Sequence, residues 1–219
     1  MIAAIHQPNY IPWLGYFDKI SKSDIFVFLD HVEFSKNGFI NRNKVAVNNS
    51  PTWLTVPVPK KYHKSPIIDI HVEDHKWRRK HLKTLQQSYS SFSGNQEYLK
   101  AYEQIINSST SLCEINISLI LWCCSVLGIE SKFVRSSQLN LSDNAKTDLL
   151  AEITQACGAQ TYLSGQGASE YLKEDSFGSM QVEWQKFSHP TYKQGSREFI
   201  PNLSVLDFIL TQNPLSYGI

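Results

Sequence analysis

The sequence predicts an α/β fold: a mainly parallel sheet with flanking helices, and a helical segment in the middle of the chain. Three observations lead there. Short apolar runs at 2–5 and 25–29 have the length of buried parallel strands, and they bracket a short helix over Tyr16–Ile20. A second strand–helix–strand alternation runs from Ser131 to Leu163. Between the two, residues 74–127 carry apolar side chains at helical spacing. At 219 residues the chain is long enough for a single domain with a substantial core, in which 74–127 reads as a helical segment or small lobe.

Taken in order, the first strand ends at a polar cluster. Pro12 and Gly15 precede the short helix, and His6, Gln7, Asn9 and Tyr10 gather at the strand's carboxyl end, where open α/β sheets bind ligands. Pro8, Pro12 and Trp13 are equally the parts of a rigid packed turn. Polar His6 and Gln7, leaving a buried strand, need partners; a ligand is one and a backbone carbonyl another. After the second strand, Asn37-Gly38 signals a turn and Lys44–Val47 a strand. Arg42, between Asn41 and Asn43, offers a planar fork to phosphate or carboxylate, or is a solvated loop arginine.

Trp53–Pro59 reads as a strand stopped by prolines, and Ile67–Val72 as another. Asp74 caps a helix with Trp77, His81 or Leu82, Leu85 and Tyr89 on one face. Glu97–Asn107 and Ser111–Leu127 are two further helices, the latter stopped by Gly128. Ser131–Arg135, a helix ending at Cys157-Gly158, and Gln160–Leu163 then form the second alternation. Ser164-Gly165-Gln166-Gly167 follows directly and is expected to open a helix through Tyr171 and Leu172. Such a turn lets backbone N–H groups approach an anion. Met180–Phe187 is a strand, His189 is held extended before Pro190, and Ser204 caps a last helix with Asp207 in its first turn.

Formal net charge is +1, from 21 basic and 20 acidic residues, so the overall field makes no case for nucleic acid or membrane. No apolar run reaches the ~18 residues of a span. The first ten residues lack a secretory pattern, so a soluble, cytoplasmic protein is expected. Locally, residues 60–83 hold eight Lys or Arg against three acids. That run is either a solvated face or a docking surface for an acidic partner or a phosphate-bearing substrate. His71 and His75 read as a strand end running into a helix cap rather than metal ligands, and no metal is expected. Cys113, Cys123, Cys124 and Cys157 lie in apolar surroundings without metal-site or disulfide spacing, as buried thiols do.

The opening Ile5-His6-Gln7-Pro8-Asn9-Tyr10-Ile11-Pro12-Trp13-Leu14-Gly15-Tyr16-Phe17 resembles that of the WbqC-like family. The likeness continues through Asn41-Arg42-Asn43, Trp77 with His81, Thr147-Asp148 and Tyr162-Leu163-Ser164-Gly165. It includes His189-Pro190, Tyr192 and Gln194, and ends at Leu203–Asp207. The resemblance implies a role in bacterial O-antigen or other surface polysaccharide (lipopolysaccharide) biosynthesis, by transfer of glycine or a related acyl group to an amino sugar. The opening unit also looks Rossmann-like, in the manner of nucleotidyltransferases. Overlaid on Gly15, however, their phosphate-stabilising histidines are replaced by Trp13 and Tyr16, which cannot do that work electrostatically.

The expected activity is therefore acyl or aminoacyl transfer from a carrier-protein or similar thioester, as co-substrate, to the amine of a nucleotide-linked amino sugar, with no cofactor. His6 is the expected base, with His189 in reserve. Gln7, Asn9 or Tyr10 would donate to the oxyanion, and Arg42 with Ser164 and Gly165 would hold the diphosphate. The resemblance adds Trp13, Asn43, Tyr192 and Gln194 as substrate contacts, and Arg78, Arg79, Lys80 and Lys83 would receive an acidic carrier protein. The alternatives are nucleotidyl transfer using Arg42 and Lys44, and a non-catalytic assembly protein of the same pathway.

Overall fold

The computed structural model describes residues 1–170 and 172–214. The chain divides into two compact units, each assembled from several stretches. Residues 1–7, 15–31 and 129–188 make the first; 8–14, 32–128 and the described residues from 189 onward make the second.

The first unit is an α/β layer. Strands β1 (Ile2–His6), β2 (Ile25–Phe28), β5 (Lys132–Arg135), β6 (Thr161–Ser164) and β7 (Gln181–Trp184) form one sheet in the order β5-β2-β1-β6-β7. Every pairing in it is parallel. The burial pattern follows that order: β2 is buried throughout and β1 through Ala3, Ala4 and Ile5, whereas edge strand β7 alternates between exposed and half-buried positions. Helix α1 (Leu14–Ser21) buries Tyr16, Phe17, Lys19 and Ile20, and α5 (Lys146–Ala156) lies between β5 and β6 in the chain. Gln185, just past β7, fastens the start of α1 by donating to the Gly15 carbonyl and the Asp18 carboxylate, both at 2.7 Å.

The second unit packs three helices, α2 (Lys76–Ser88), α3 (Gln96–Asn107) and α4 (Leu112–Val126), with α6 (Val205–Gln212) and an antiparallel hairpin of β3 (Arg42–Val47) and β4 (Ser50–Thr55). Ser111 and Ser204 cap α4 and α6 with their hydroxyls, as their sequence positions suggest. Buried Asn116 on α4 donates to the carbonyls of Pro8 at 2.8 Å and Ile40 at 2.7 Å, tying two irregular stretches of this unit to a helix.

Two expected elements differ. Ile67–Val72 is not a sheet strand: after Pro66 the chain makes one 3-10 turn over Ile67–Asp69, then runs beside residues 110–112 through Val72 N–H to Thr110 and Leu112 N–H to Ile70. Its apolar residues are still buried, because Ile67, Ile70 and Val72 pack inward from the turn. After β6, the expected helix is only a 3-10 turn over Gln166–Ala168; Tyr171 lies outside the described residues.

Candidate functional site

In the sheet, β1 leads through α1 to β2 on one side, and β6 leads to its neighbour β7 on the other. The order therefore switches between β1 and β6, and ligands of open parallel sheets bind in the crevice that opens at the carboxyl ends of such a pair. Pairing of the two strands ends at Ala4 opposite Leu163. Beyond it lie His6 and Gln7 on one strand and Ser164 and Gly165 on the other, four of the residues singled out from sequence.

His6 is half-buried, with its ring edge-on to Tyr16 at 4.8 Å between centroids. Its Nδ1 lies 3.1 Å from the Gln7 carbonyl. A carbonyl can only accept, so Nδ1 carries the proton and Nε2 keeps its lone pair. Burial first, and the nearby Lys19 charge second, push the imidazole down to about 4, partly offset by the Gln7 hydrogen bond. The ring is a neutral acceptor at pH 7.

Lys19 is the residue that sequence reasoning missed. It is 3% exposed, yet among the described residues no carboxylate pairs with it. Its Nζ donates to the Ile5 carbonyl at 3.0 Å and lies 5.7 Å from the Tyr162 ring centre. Burial brings its ammonium down to about 7. The signal was available: Lys19 follows Tyr16 by three residues, a spacing that puts both on one side of a helix.

At the far side of the sheet, Asp30 after β2 accepts from Ser136 Oγ at 3.0 Å, Ser137 N–H at 2.9 Å and Ser137 Oγ at 2.8 Å, and His31 meets Ser136 at 2.6 Å. This is not a nucleophile. Ser136 is 1% exposed and gives its proton to Asp30 rather than to a histidine.

The remaining candidates belong to the second unit, where three sequence motifs meet. Val205 N–H donates to the Pro12 carbonyl, and Trp13 bridges to Ser204. His189 lies parallel to Trp13 at 6.4 Å and to Tyr192 at 6.1 Å, with Nδ1 donating to the Pro190 carbonyl. Tyr192 donates to Asp207 Oδ2 at 2.9 Å, and Tyr89 to Oδ1 at 2.6 Å. Burial pushes the Asp207 carboxyl up, and the two phenols pull the other way.

The WbqC-like protein family matches the chain over residues 7–217. The protein belongs to that family. This WbqC-like chain is also 33% identical over 213 residues to Rv1507c of Mycobacterium tuberculosis, an uncharacterized protein, covering 94% of this chain and 91% of that one. No solved structure matches it. The convergence of Pro12-Trp13, His189–Tyr192 and Ser204–Asp207 gives those family-like segments a physical reason for appearing together.

Several expected ligand contacts of the WbqC-like chain are instead taken up by the protein. Tyr10 is fully buried, with its hydroxyl 2.9 Å from His81 Nδ1 and 2.5 Å from the Tyr102 hydroxyl, while Asn9 is 7% exposed. Asn43 is buried and donates to the Ile11 carbonyl. Gln194 is held by Ile200 through both its amide nitrogen and its oxygen. Arg42 donates to the Asn37 and Gly38 carbonyls and stacks on Trp53, 4.3 Å from the ring centre. Gly165 is ordinary extended backbone at φ −75, and no α-helix begins after it, so the helix-dipole argument for an anion there lapses.

The basic helix also changes. Arg78 is 4% exposed and bonds His75 and the Ser109 carbonyl, so it is an internal strut; Arg79, Lys80 and Lys83 remain exposed. Cys113, Cys123 and Cys124 are buried, and burial pushes Cys124 up to about 12; Cys157, just past the end of α5, is only half-buried, against expectation. Among the described residues no group of three or more His, Cys, Asp or Glu is placed to hold a metal, and no helix is long and apolar enough to cross a membrane.

Proposed function

We propose that this protein transfers an acyl or aminoacyl (glycyl) group from a carrier-protein or similar thioester to the amine of a nucleotide-linked amino sugar, in bacterial surface polysaccharide biosynthesis. The observation that carries the reading is the pair at the β1–β6 switch point: a neutral imidazole with a fixed tautomer, and a buried lysine with no carboxylate partner among the described residues.

In this reading the sugar amine enters neutral and attacks the thioester carbonyl. The new C–N bond makes the amine N–H strongly acidic, within reach of a base that holds its proton only weakly, and His6 Nε2 accepts that proton. The C–S bond then breaks, and His6 returns the proton to the departing thiolate. Lys19 supplies positive charge near the developing oxyanion; an anion beside a desolvated lysine favours its charged form. The diphosphate would lie in the crevice beyond the carboxyl ends of β1 and β6; Ser164 is itself fully buried with its hydroxyl turned to the Gly165 carbonyl. Direct attack is preferred to an acyl-enzyme because burial holds the Cys123 and Cys124 thiols protonated.

The test is mass spectrometry of nucleotide-linked 3-amino and 4-amino sugars incubated with protein and glycyl or acyl thioesters on carrier protein, without metal. A sugar mass gain equal to the acyl group, lost in His6→Gln, supports the proposal. Pyrophosphate release on adding Mg²⁺ and nucleoside triphosphates instead moves the assignment to nucleotidyl transfer, and silence in both favours the assembly role.

A further inference from the structure

Within the second unit, the β3–β4 hairpin has one covered face and one bare one. Asn43, Val45 and Leu54 point inward and are 2%, 0% and 3% exposed. The opposite face carries Arg42, Lys44 and Trp53; Lys44 lies directly across from Trp53 in the register and Arg42 diagonally. Trp53 is 39% exposed, and Phe39, 6.0 Å from it between ring centres, is 51% exposed. These are two of the four exposed large hydrophobic side chains among the described residues, and they are neighbours. The Arg42 guanidinium is 4.3 Å and the Lys44 ammonium 4.8 Å from the Trp53 ring centre.

Along the sequence on either side of this hairpin the charge is one-sided. From Phe34 to Ile68 the sequence holds six Lys or Arg (Lys36, Arg42, Lys44, Lys60, Lys61, Lys64) and no Asp or Glu, in a chain whose totals nearly cancel. Among the described residues the one ion pair is Lys22 with Asp18, so none of these six has an acidic partner. An exposed Trp flanked by a half-buried Arg and a Lys has the composition of a protein-binding hot spot. The hairpin tip is polar: Asn48 and Asn49, both with positive φ, make the turn, and Ser50 follows. The aromatic rings thus lie on the flat of the hairpin and not at a tip that would enter a lipid layer, which favours a protein surface over a membrane.

We infer that the outward face of the β3–β4 hairpin, centred on Trp53 with Arg42 and Lys44, is the docking surface for an acidic protein partner. The thioester carrier of the proposed reaction is that partner. Its identity as a carrier rests on the transferase reading; the acidic chemistry of the partner does not. Docking on this face replaces the earlier assignment to α2, where Arg78 is buried.

The test uses the full-length protein and a purified acidic acyl carrier protein in its holo form, with affinity measured calorimetrically at low and high salt. Binding that weakens with salt, falls about tenfold or more in Trp53→Ala, and is lost in the Arg42→Glu/Lys44→Glu double variant is the expected result. Trp53 and Lys44 side chains are not buried, so Trp53→Ala and a Lys44→Glu single variant are expected to keep the parent melting temperature, which is measured alongside; Arg42 also bonds the Asn37 and Gly38 carbonyls, so the single variants decide the outcome if the double variant is destabilised. Unchanged affinity in those variants, loss of affinity only on reversing Arg79 and Lys83, or no binding at all overturns the inference. Salt-sensitive binding to vesicles containing phosphatidylglycerol, or to a single-stranded oligonucleotide, with none to the carrier also overturns it. The two proposals fail separately. Docking without acyl transfer refutes the reaction and keeps the surface, whereas normal transfer by hairpin variants of unchanged affinity refutes the surface and keeps the reaction.

Discussion

Replacing Lys19 by Met should make the protein more stable at pH 6 and less stable at pH 10. Met matches the length of the lysine stem but has no charge. The folded ammonium loses its proton near pH 7, against 10.5 for an unperturbed lysine, because burial penalises the charge. At about 1.4 kcal/mol per tenfold, that gap corresponds to about 5 kcal/mol of stability withheld from the folded state. The sign follows from proton binding. Between pH 7 and 10.5 the unfolded chain holds a proton on this group that the folded chain does not, so the native state gains stability as pH rises and loses it as pH falls towards 7. Against this stands the lost hydrogen bond to the Ile5 carbonyl, about 1–3 kcal/mol for a buried acceptor left unpaired. The net expectation is a variant roughly 2–4 kcal/mol more stable at pH 6 and about 0–2 kcal/mol less stable at pH 10, where the unfolded lysine is still mostly charged. Urea denaturation of parent and variant across that range measures it, and the difference between them cancels the other titrating groups. A difference that stays flat with pH would refute the reasoning, since it would mean that Lys19 keeps its charge at no cost. Stabilisation at neutral pH together with loss of acyl transfer is the signature of a strained functional group.

His6→Gln should lower turnover by about 10²–10⁴ with the fold retained, as judged by an unchanged far-UV spectrum. In the parent, kcat/KM corrected for the ionisation of the free sugar amine should show no acid limb near 6.5 from the base, and its His6 limb should come only towards pH 4, where that imidazole becomes charged. His6 and His81 are both held down to about 4 by burial, so the native state should lose stability as pH falls from 6.5 to 4; denaturation midpoints across that window check it. Asn116→Ala strands the Pro8 and Ile40 carbonyls in a fully buried place and should cost about 3 kcal/mol or more by urea unfolding. Tyr192→Phe removes one hydrogen bond to the Asp207 carboxylate and should cost about 1–3 kcal/mol, measured in the same way.

The parallel sheet was legible because its signals are local. An apolar run such as Ile25–Phe28 or Ala3–Ile5 can only be buried on both sides, and the helices between strands show their own spacing. The hairpin was less so. Lys44–Val47 and the Trp53 strand both read as strands, but nothing local tells a chain whether a strand joins a large sheet or pairs with its neighbour. The error at Ile67–Val72 has the same origin: a β-branched run looks alike whether it lies in a ladder or packs three apolar side chains inward from a turn started by Pro66.

Site residues were harder to read for a reason visible in the first fifteen positions. His6 and Gln7 belong to the sheet unit and Pro8 to Leu14 to the other, so a motif that looks like one cluster is distributed between two compact bodies. Residues of the first kind sit where a strand ends and keep polar atoms available, as His6 Nε2 does. Those of the second kind, Tyr10 above all, are consumed by long-range partners that spacing cannot reveal: His81 and Tyr102 are 71 and 92 residues away. Asp207 shows the converse. Its place in a first helical turn explains an acid there, but only the fold shows that Tyr89, 118 residues earlier, holds the other side of the carboxylate. A polar residue in a family motif is therefore a demand for a partner, and the sequence cannot say whether the partner is a ligand or the protein. Lys19 meets that demand least completely, since a backbone carbonyl and an aromatic face do not balance a buried ammonium. That imbalance is why the catalytic reading rests on it and His6 rather than on the better-satisfied Tyr10 or Asn43.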